Sequence, residues 1–176
     1  MSNPRLGITM GDPAGVGPET IVKAWQSGQV HAVCRPVVIG SSTVLQRAAK
    51  LLGAKIRVIP VDAVTQITGD PTTLPCLEIK SKAAWEVPPA RCDPRGGQAA
   101  YEAVVLAAHL AKTGQIDGLV TAPLNKAALQ AAGHHYPGHT ELLTDCCEAE
   151  NTAMMLYLEK EKEDHSGSSQ AWGVVH

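Results

Sequence analysis

Three short stretches of this sequence place glycines, a lysine, a hydroxyl and imidazoles at spacings that favour the binding of an anion. The first is residues 11–19, GDPAGVGPE. A strand that enters a helix through several glycines brings free backbone N–H groups to one concave point, which makes Gly15 and Gly17 candidate anion-binding residues. The stretch lacks the further glycine, at Thr20, of a dinucleotide fingerprint, and it is not a P-loop. The alternative is a tight structural turn whose glycines supply positive φ.

The second stretch is residues 133–141, GHHYPGHTE. His135 and His139 have the i, i+4 spacing of a metal-binding helix, but the Pro-Gly pair between them breaks any helix and excludes that geometry. The spacing instead predicts a loop whose last residues, His139 and Thr140, lie at a helix N-terminus, where their side chains join backbone N–H groups around an anion. In the alternative interpretation Thr140 is a plain N-cap and the histidines are surface residues.

The third stretch is residues 121–126, TAPLNK, which follows a predicted strand at 118–121. Ligands of open parallel sheets collect beyond the carboxyl ends of the strands, so Asn125 and Lys126 are candidate anion-binding residues. A solvated surface charge is the alternative for Lys126. The helix predicted over 98–112 carries Glu102 and His109 on a face that we interpret as solvated.

The elements that must position these residues alternate between strand and helix. Apolar runs predict strands, and 3.6-residue periodicity with capping residues predicts helices. The predicted strands cover 5–10, 36–40, 55–59, 77–80, 118–121, 152–158 and 172–176, and the predicted helices cover 20–25, 43–52, 98–112, 125–132 and 140–150. We expect loops at 61–75 and 159–171. This order is typical of an α/β protein with a mostly parallel sheet.

The composition excludes several classes of protein. The 176 residues are 44% hydrophobic and 18% charged, which predicts one folded domain, or one domain plus a fragment of a second. A net charge of −2 argues against non-specific nucleic-acid binding. The sequence contains no apolar run of roughly 20 residues and no signal-peptide pattern, so we expect no membrane association and a cytoplasmic location. The five cysteines are odd in number and lack a C-x-x-C pair, which predicts free thiols.

The three stretches also carry a family resemblance. Residues 8–19 (ITMGDPAGVGPE), 121–126 and 137–142 (PGHTEL) resemble, in order and spacing, the 4-hydroxythreonine-4-phosphate dehydrogenase family of pyridoxal phosphate biosynthesis. The resemblance runs from Arg5 to about Leu158 and resumes at 172–176. The related D-threonate and D-erythronate 4-phosphate dehydrogenases share these motifs, and residues 136–139 (YPGH) are at least as similar to theirs.

The resemblance implies an α/β/α fold like that of isocitrate and isopropylmalate dehydrogenases, in a homodimer with its sites at the subunit interface. It implies an NAD-dependent oxidation of a secondary alcohol on a small phosphorylated hydroxy acid, followed by loss of carbon dioxide, with a divalent metal such as zinc or magnesium. His139 and Thr140 match the substrate-contacting pair. Gly15, Gly17, Asn125 and Lys126 match family motifs without a firm role, and no catalytic residue is assigned.

One departure from the family pattern is large. The family's three metal-binding histidines, and most of its NAD contacts, lie beyond the region matched here, so we expect no metal ligand in this chain and assign none to His176. We therefore expect a truncated form: residues 1–158 as the N-terminal α/β portion of the dehydrogenase fold, 159–171 as a solvated loop and 172–176 as a strand. The alternative is a non-catalytic, anion-binding α/β fragment.

Overall fold

The computed structural model describes residues 3–67, 70–158 and 172–175 of the chain. The strands are β1 (Arg5–Thr9), β2 (Arg35–Gly40), β3 (Arg57–Val61), β4 (Thr73–Glu78), β5 (Gly118–Thr121), β6 (Met155–Leu158) and β7 (Trp172–Val175). The helices are α1 (Gly17–Gln26), α2 (Gln29–Val33), α3 (Ser42–Leu51), α4 (Pro94–Lys112), α5 (Lys126–Ala131) and α6 (His139–Cys147), with 3₁₀ turns at Val64–Gln66 and Lys82–Glu86.

Five strands form one parallel sheet in the order β3-β4-β2-β1-β5. β1 lies between β2 and β5, with Leu6 opposite Pro36 on one side and Gly118 on the other. Because all five strands run the same way, the loops that follow them gather at one edge of the sheet. β6 and β7 pair with each other as a separate antiparallel ribbon.

Each face of the sheet is covered by helices, which gives the three-layer α/β/α arrangement that the family resemblance implies. On one face, alanines of α4 such as Ala99 and Ala103 pack on Val37 and Ile39 of β2. On the other face, α1 and α3 contribute side chains to a second cluster, which holds Ile21, Trp25, Val44, Leu45, Val38 and Leu74. Small residues along α4 let this long helix lie close to the strands. The predicted α/β class is confirmed.

Local sequence explains where the helices begin. Ser41 lies before α3 and accepts a hydrogen bond of 3.5 Å from the N–H of Val44, as an N-cap does. Asp93 caps α4 by accepting from the N–H of Arg95 at 2.9 Å, and Pro94 occupies the first helical position, where its missing N–H is not needed. The helix predicted over 98–112 therefore begins four residues earlier than its apolar stripe suggested.

The structure corrects several predicted boundaries. β3 begins two residues later than expected, and β4 occupies Thr73–Glu78 rather than 77–80, so the loop predicted over 61–75 is wrong at its end. Residues 73–77 are buried, and their run lacks the alternation by which a half-exposed strand is recognised. The short helix α2 was missed because it buries no residue and therefore has no apolar stripe.

Some predictions concern residues outside the described ranges. The loop expected over 159–171 and His176 lie outside them, whereas the strand expected at 172–176 is present over Trp172–Val175. All five cysteines are free thiols, as predicted. Within residues 3–67, 70–158 and 172–175, no helix combines the length and the apolar character that crossing a bilayer requires.

Candidate functional site

The loops after β1 and β5 meet at the carboxyl edge of the sheet and are fastened together. The N–H of Asp12 donates a hydrogen bond of 3.0 Å to the carbonyl oxygen of Pro123. Gly11 has φ +72°, and a Cβ at this position would lie 2.3 Å from the same oxygen. Only glycine allows this approach, so the first glycine of the motif has a structural reason of its own.

The other two glycines of this loop also serve its fold. The N–H of Gly15 donates to the carbonyl oxygen of Asp12 at 3.0 Å, which closes a turn. Gly17 lies against Met10, where a Cβ would be 2.4 Å from the Met10 carbonyl oxygen. From α3, the guanidinium of Arg47 donates to the carbonyl oxygen of Pro13 at 2.9 Å. The N–H of Gly15 is therefore used inside the turn, and the anion-binding role of Gly15 and Gly17 stays a prediction.

A groove of about 380 Å³ opens beside this turn. Gly15 and Asn125 both line it, together with Asp12, Arg91 and Cys92. The structure thus brings two of the predicted anion-binding residues to one concave surface, although 110 positions separate them in the sequence. Sequence reasoning did not find Arg91, which comes from the segment before α4 and matches no motif.

Asp12 is the most buried carboxylate at this edge, with a residue exposure of 3%. Its Oδ1 accepts a hydrogen bond of 2.8 Å from the N–H of Ala14. Burial raises the pKa of Asp12 above its usual value of 3.8, and the neighbouring negative charge of Asp93 adds to that rise, while the Ala14 N–H opposes it. The burial of Asp12 follows from the packing of α4 against the loop.

Asn125 and Lys126 have different roles at the start of α5. Oδ1 of Asn125 accepts from the N–H groups of Ala127 at 3.0 Å and Ala128 at 3.1 Å, so Asn125 is the N-cap of α5. The predicted helix start at Asn125 is therefore one residue early. The side chain of Lys126 extends toward α6: its Cε lies 3.9 Å from the position of a Cβ at Gly138. This brings a positive charge beside the predicted substrate-binding pair.

His139 is the first residue of α6, and its imidazole is half-buried. Within the described residues, the buried Nε2 of His139 has no hydrogen-bond partner. Burial lowers the pKa of His139 below its usual 6.5, so the ring is neutral at pH 7. A buried ring nitrogen without a partner is a group that a ligand oxygen could satisfy.

Thr140 is the second residue of α6 and is exposed. The alternative interpretation of Thr140 as a plain N-cap is wrong: Gly138 is the N-cap residue and makes no side-chain bond. The helix begins one residue earlier than predicted, because the extended backbone of Gly138 turns directly into it. The first N–H groups of α6 thus have no side-chain cap, and Glu141 places one carboxylate near them, with Oε2 3.7 Å from the Cβ position of Gly138.

The described residues offer no donor set for a metal. In those ranges, His, Cys, Asp and Glu side chains form no group of three or more that could hold a metal ion. The residues at hand therefore do not fit the divalent cation that the family resemblance implies. In the glycine-rich turn, the N–H groups of Asp12, Ala14 and Gly15 are hydrogen-bonded within the protein.

The fold and these side chains define a class: an α/β protein with a parallel sheet whose carboxyl-edge loops carry the polar residues, the place where such folds bind ligands. The family model for the pyridoxal phosphate biosynthetic protein PdxA matches residues 32–162, and the chain belongs to that family. The resemblance predicted from the sequence motifs is confirmed.

The chain is similar to named dehydrogenases of that family. It is 38% identical to the 4-hydroxythreonine-4-phosphate dehydrogenase of Trichlorobacter lovleyi, over 87% of this chain and 46% of that protein. It is 37% identical to the D-threonate 4-phosphate dehydrogenase of Cupriavidus necator, over 89% of this chain and 47% of that protein.

Solved structures give the same result. The crystal structure of a 4-hydroxythreonine-4-phosphate dehydrogenase from Burkholderia phymatum aligns with a TM-score of 0.84 and 37% identity, over 90% of this chain and 47% of that chain. The chain thus spans about half the length of the curated relatives and solved structures that it matches.

Proposed function

We propose that this chain supplies part of the substrate site of an NAD- and divalent-metal-dependent dehydrogenase that oxidises and decarboxylates a 4-phosphorylated hydroxy acid. The names of the two relatives support this class of substrate, because each name specifies a small hydroxylated acid that carries a 4-phosphate. The identities of 38% and 37% do not separate 4-hydroxythreonine 4-phosphate from D-threonate 4-phosphate. We therefore propose the phosphorylated hydroxy acid as a class.

The observation that carries the proposal is the buried, unpartnered Nε2 of His139 at the start of α6. Three features at the start of α6 favour the binding of an anionic group. They are the His139 imidazole, the uncapped N–H groups of the helix, and the Lys126 side chain, whose Cε lies beside Gly138. In this proposal His139 donates one N–H to a phosphate or carboxylate oxygen, and the Thr140 hydroxyl donates a second hydrogen bond. Lys126 adds a positive charge.

The chemistry of the reaction divides between this binding role and groups that the described residues do not hold. A bound divalent cation would lower the pKa of the substrate alcohol and stabilise the enolate after decarboxylation. The described side chains contain no set of three metal ligands, so they do not supply this chemistry. His139, Thr140 and Lys126 bind and orient the substrate's anionic end in this proposal. A homodimer and a cytoplasmic location are parts of the same proposal.

A second candidate is an anion-binding α/β protein without catalysis. Two observations favour this candidate: the start of α6 offers donors for an anion, and the described residues contain no metal-ligand group. The two candidates differ in whether hydride reaches NAD. NADH formed by this chain from NAD with zinc or magnesium and either phosphorylated acid, measured by absorbance, would exclude the second candidate.

The binding claim is tested by calorimetry of the 176-residue chain with 4-hydroxythreonine 4-phosphate and with D-threonate 4-phosphate. Losing one hydrogen bond to a charged group costs roughly 1.5–3 kcal/mol, or about ten- to a hundredfold in affinity. We expect His139→Ala to weaken binding by that order and to leave Tm close to wild type. His109→Ala, on α4, is the matched control and should bind like wild type. Unaltered binding in His139→Ala together with a large loss of stability would assign His139 a structural role instead.

A further inference from the structure

The loop that leads to His139 is held against α4 by an aromatic stack. The rings of Tyr101 and His134 are 3.5 Å apart between centroids and nearly parallel, at 9°. Tyr136 continues the stack, with its centroid 6.4 Å from that of Tyr101 at 19°. Tyr101 lies on α4, while the other two rings belong to the loop of residues 133–138.

Hydrogen bonds fix the inner end of the stack. Nε2 of His134 is 2.8 Å from Oε1 of Gln98 on α4, and the Gln98 amide donates to Glu102 at 2.9 Å. Glu102 in turn accepts from the N–H of Ser81 at 2.8 Å and from its hydroxyl at 2.7 Å. The interpretation of this face of α4 as solvated is therefore wrong at Glu102. The Glu102 carboxylate is hydrogen-bonded to Ser81 and Gln98 and anchors this part of the structure.

The outer end of the stack is fixed to α6. The hydroxyl of Tyr136 donates to the Oδ2 of Asp145 at 2.6 Å, and this bond raises the pKa of Tyr136 to about 12. The loop is thus tied to α4 through His134 and to α6 through Tyr136. Its last residue, Gly138, is followed directly by His139 and lies beside Lys126. The position of this loop therefore determines how the His139 ring lies relative to the Lys126 ammonium.

We propose that Tyr101 and His134 are positioning residues, whose stack holds the 133–138 loop so that His139 and Lys126 face the same anion. The proposal rests on the proposed function for the identity of that anion. The stack suits this task because flat ring contact restricts the loop without using any donor that the anion needs. A preordered loop avoids the entropy cost that a mobile one would meet on binding.

The test compares three variants of the full chain. Tyr101→Leu removes the ring, Tyr101→Phe keeps the ring and removes the hydroxyl, and Trp85→Leu is a matched control on the exposed 3₁₀ turn. The probe is inorganic phosphate, followed by calorimetry. We expect Tyr101→Leu to weaken phosphate binding roughly three- to tenfold, from the cost of ordering one or two side chains, and Tyr101→Phe to restore it. Trp85→Leu should bind like the wild type.

A second readout separates positioning from stability. The ring resonances of His139, assigned by comparison with His139→Gln, should shift in Tyr101→Leu and return in Tyr101→Phe. A lower Tm in Tyr101→Leu with wild-type phosphate affinity and wild-type His139 resonances would overturn the proposal. If the wild type does not bind phosphate, the proposed function fails, and the resonances alone decide the positioning role: a shift supports it and none refutes it.

One further variant covers the case in which Tyr101→Leu does not fold. Gln98→Met removes the bond to Nε2 of His134 and leaves both rings of the stack in place. It should move the His139 resonances in the same direction by a smaller amount. Wild-type resonances in a folded Gln98→Met variant would refute the role of His134 as an anchor.

Discussion

Gly96 lies against the carboxylate of Asp12: a Cβ at residue 96 would be 2.6 Å from Oδ1 of Asp12. Gly96 is in the first turn of α4, which Asp93 caps. The buried carboxylate therefore sits at the positive end of the longest helix of the described chain, where the helix dipole favours a negative charge. This contact joins the glycine-rich loop to α4, the same helix that carries the stack holding His139.

Replacing Gly96 with alanine should destabilise the protein. Helix propensity alone would favour alanine by about 0.5–1 kcal/mol. The methyl group would, however, meet Oδ1 of Asp12, which the Ala14 N–H holds in place, so we expect a net loss of about 1–3 kcal/mol in the free energy of unfolding. Urea unfolding measures it. Gly15→Ala is the control, because its Cβ would meet Asp12 only at ordinary contact distances. A stabilised Gly96→Ala variant would show that the carboxylate moves aside freely.

Asp12→Asn should change how stability depends on pH. The pKa of Asp12 is raised above 3.8 in the folded protein, so the unfolded chain ionises first as the pH rises. Wild type therefore loses stability relative to the asparagine variant as the pH rises from about 3.8 through the folded pKa, and the difference is constant above it. Asparagine keeps an oxygen for the Ala14 N–H. Urea unfolding of both proteins between pH 4 and pH 7 measures this difference; a difference independent of pH would contradict the raised pKa.

The sequence predicted the parts of the fold that depend on local pattern. The strand at 118–121 was predicted with the bounds of β5. β4 was misplaced because its residues 73–77 are buried on both sides, so the segment has the pattern of neither an alternating strand nor a helix. The start of α4 was predicted late because its first turn contains Gly96 and Gly97, which carry no apolar side chain to extend the stripe.

The sequence predicted the motifs of the candidate site but not the contacts between their residues. Nothing local indicates that Gly15 and Asn125 line one groove, because this proximity arises from the parallel pairing of β1 and β5. The approach of Lys126 to Gly138 depends on the path of the loop between α5 and α6, which no motif specifies. Tyr101 and His134 lie on different elements, 33 positions apart in the sequence, and meet only because α4 packs beside the loop before α6. Glu102 looked solvated because periodicity does not show which loop covers a helix face.

Substitutions of Asn125 test whether its side chain caps α5 and whether the groove that it lines binds an anion. Asn125→Ala removes the oxygen that accepts from Ala127 and Ala128 and should cost about 1 kcal/mol in the free energy of unfolding. Asn125→Asp keeps the cap and should retain wild-type stability, while its added negative charge weakens phosphate binding if the groove holds an anion. Thermal unfolding and phosphate titration of both variants measure the two effects. Equal stability of Asn125→Ala and wild type would contradict the capping role.

The pH dependence of anion binding gives the most direct test of His139. Sulfate is the probe because it keeps its double charge throughout the range used. The pKa of His139 lies below 6.5 through burial, so its ring is neutral at pH 7 and becomes charged as the pH falls below 6.5. A charged donor binds an anion more tightly, and we expect sulfate affinity to rise roughly tenfold across this titration.

The matched variants for this titration are His139→Gln and His109→Gln. His139→Gln keeps a hydrogen-bond donor that does not titrate, so its sulfate affinity should lack the rise, while His109→Gln should retain it. Without sulfate the same lowered pKa acts on stability: the unfolded chain takes up the proton first, so wild type loses stability relative to His139→Gln as the pH falls from 6.5 through the folded pKa. Calorimetry at pH 8, 7, 6 and 5 (about one unit apart, to span the titration) measures the affinity. An equal rise in wild type and His139→Gln would assign the anion site to other residues.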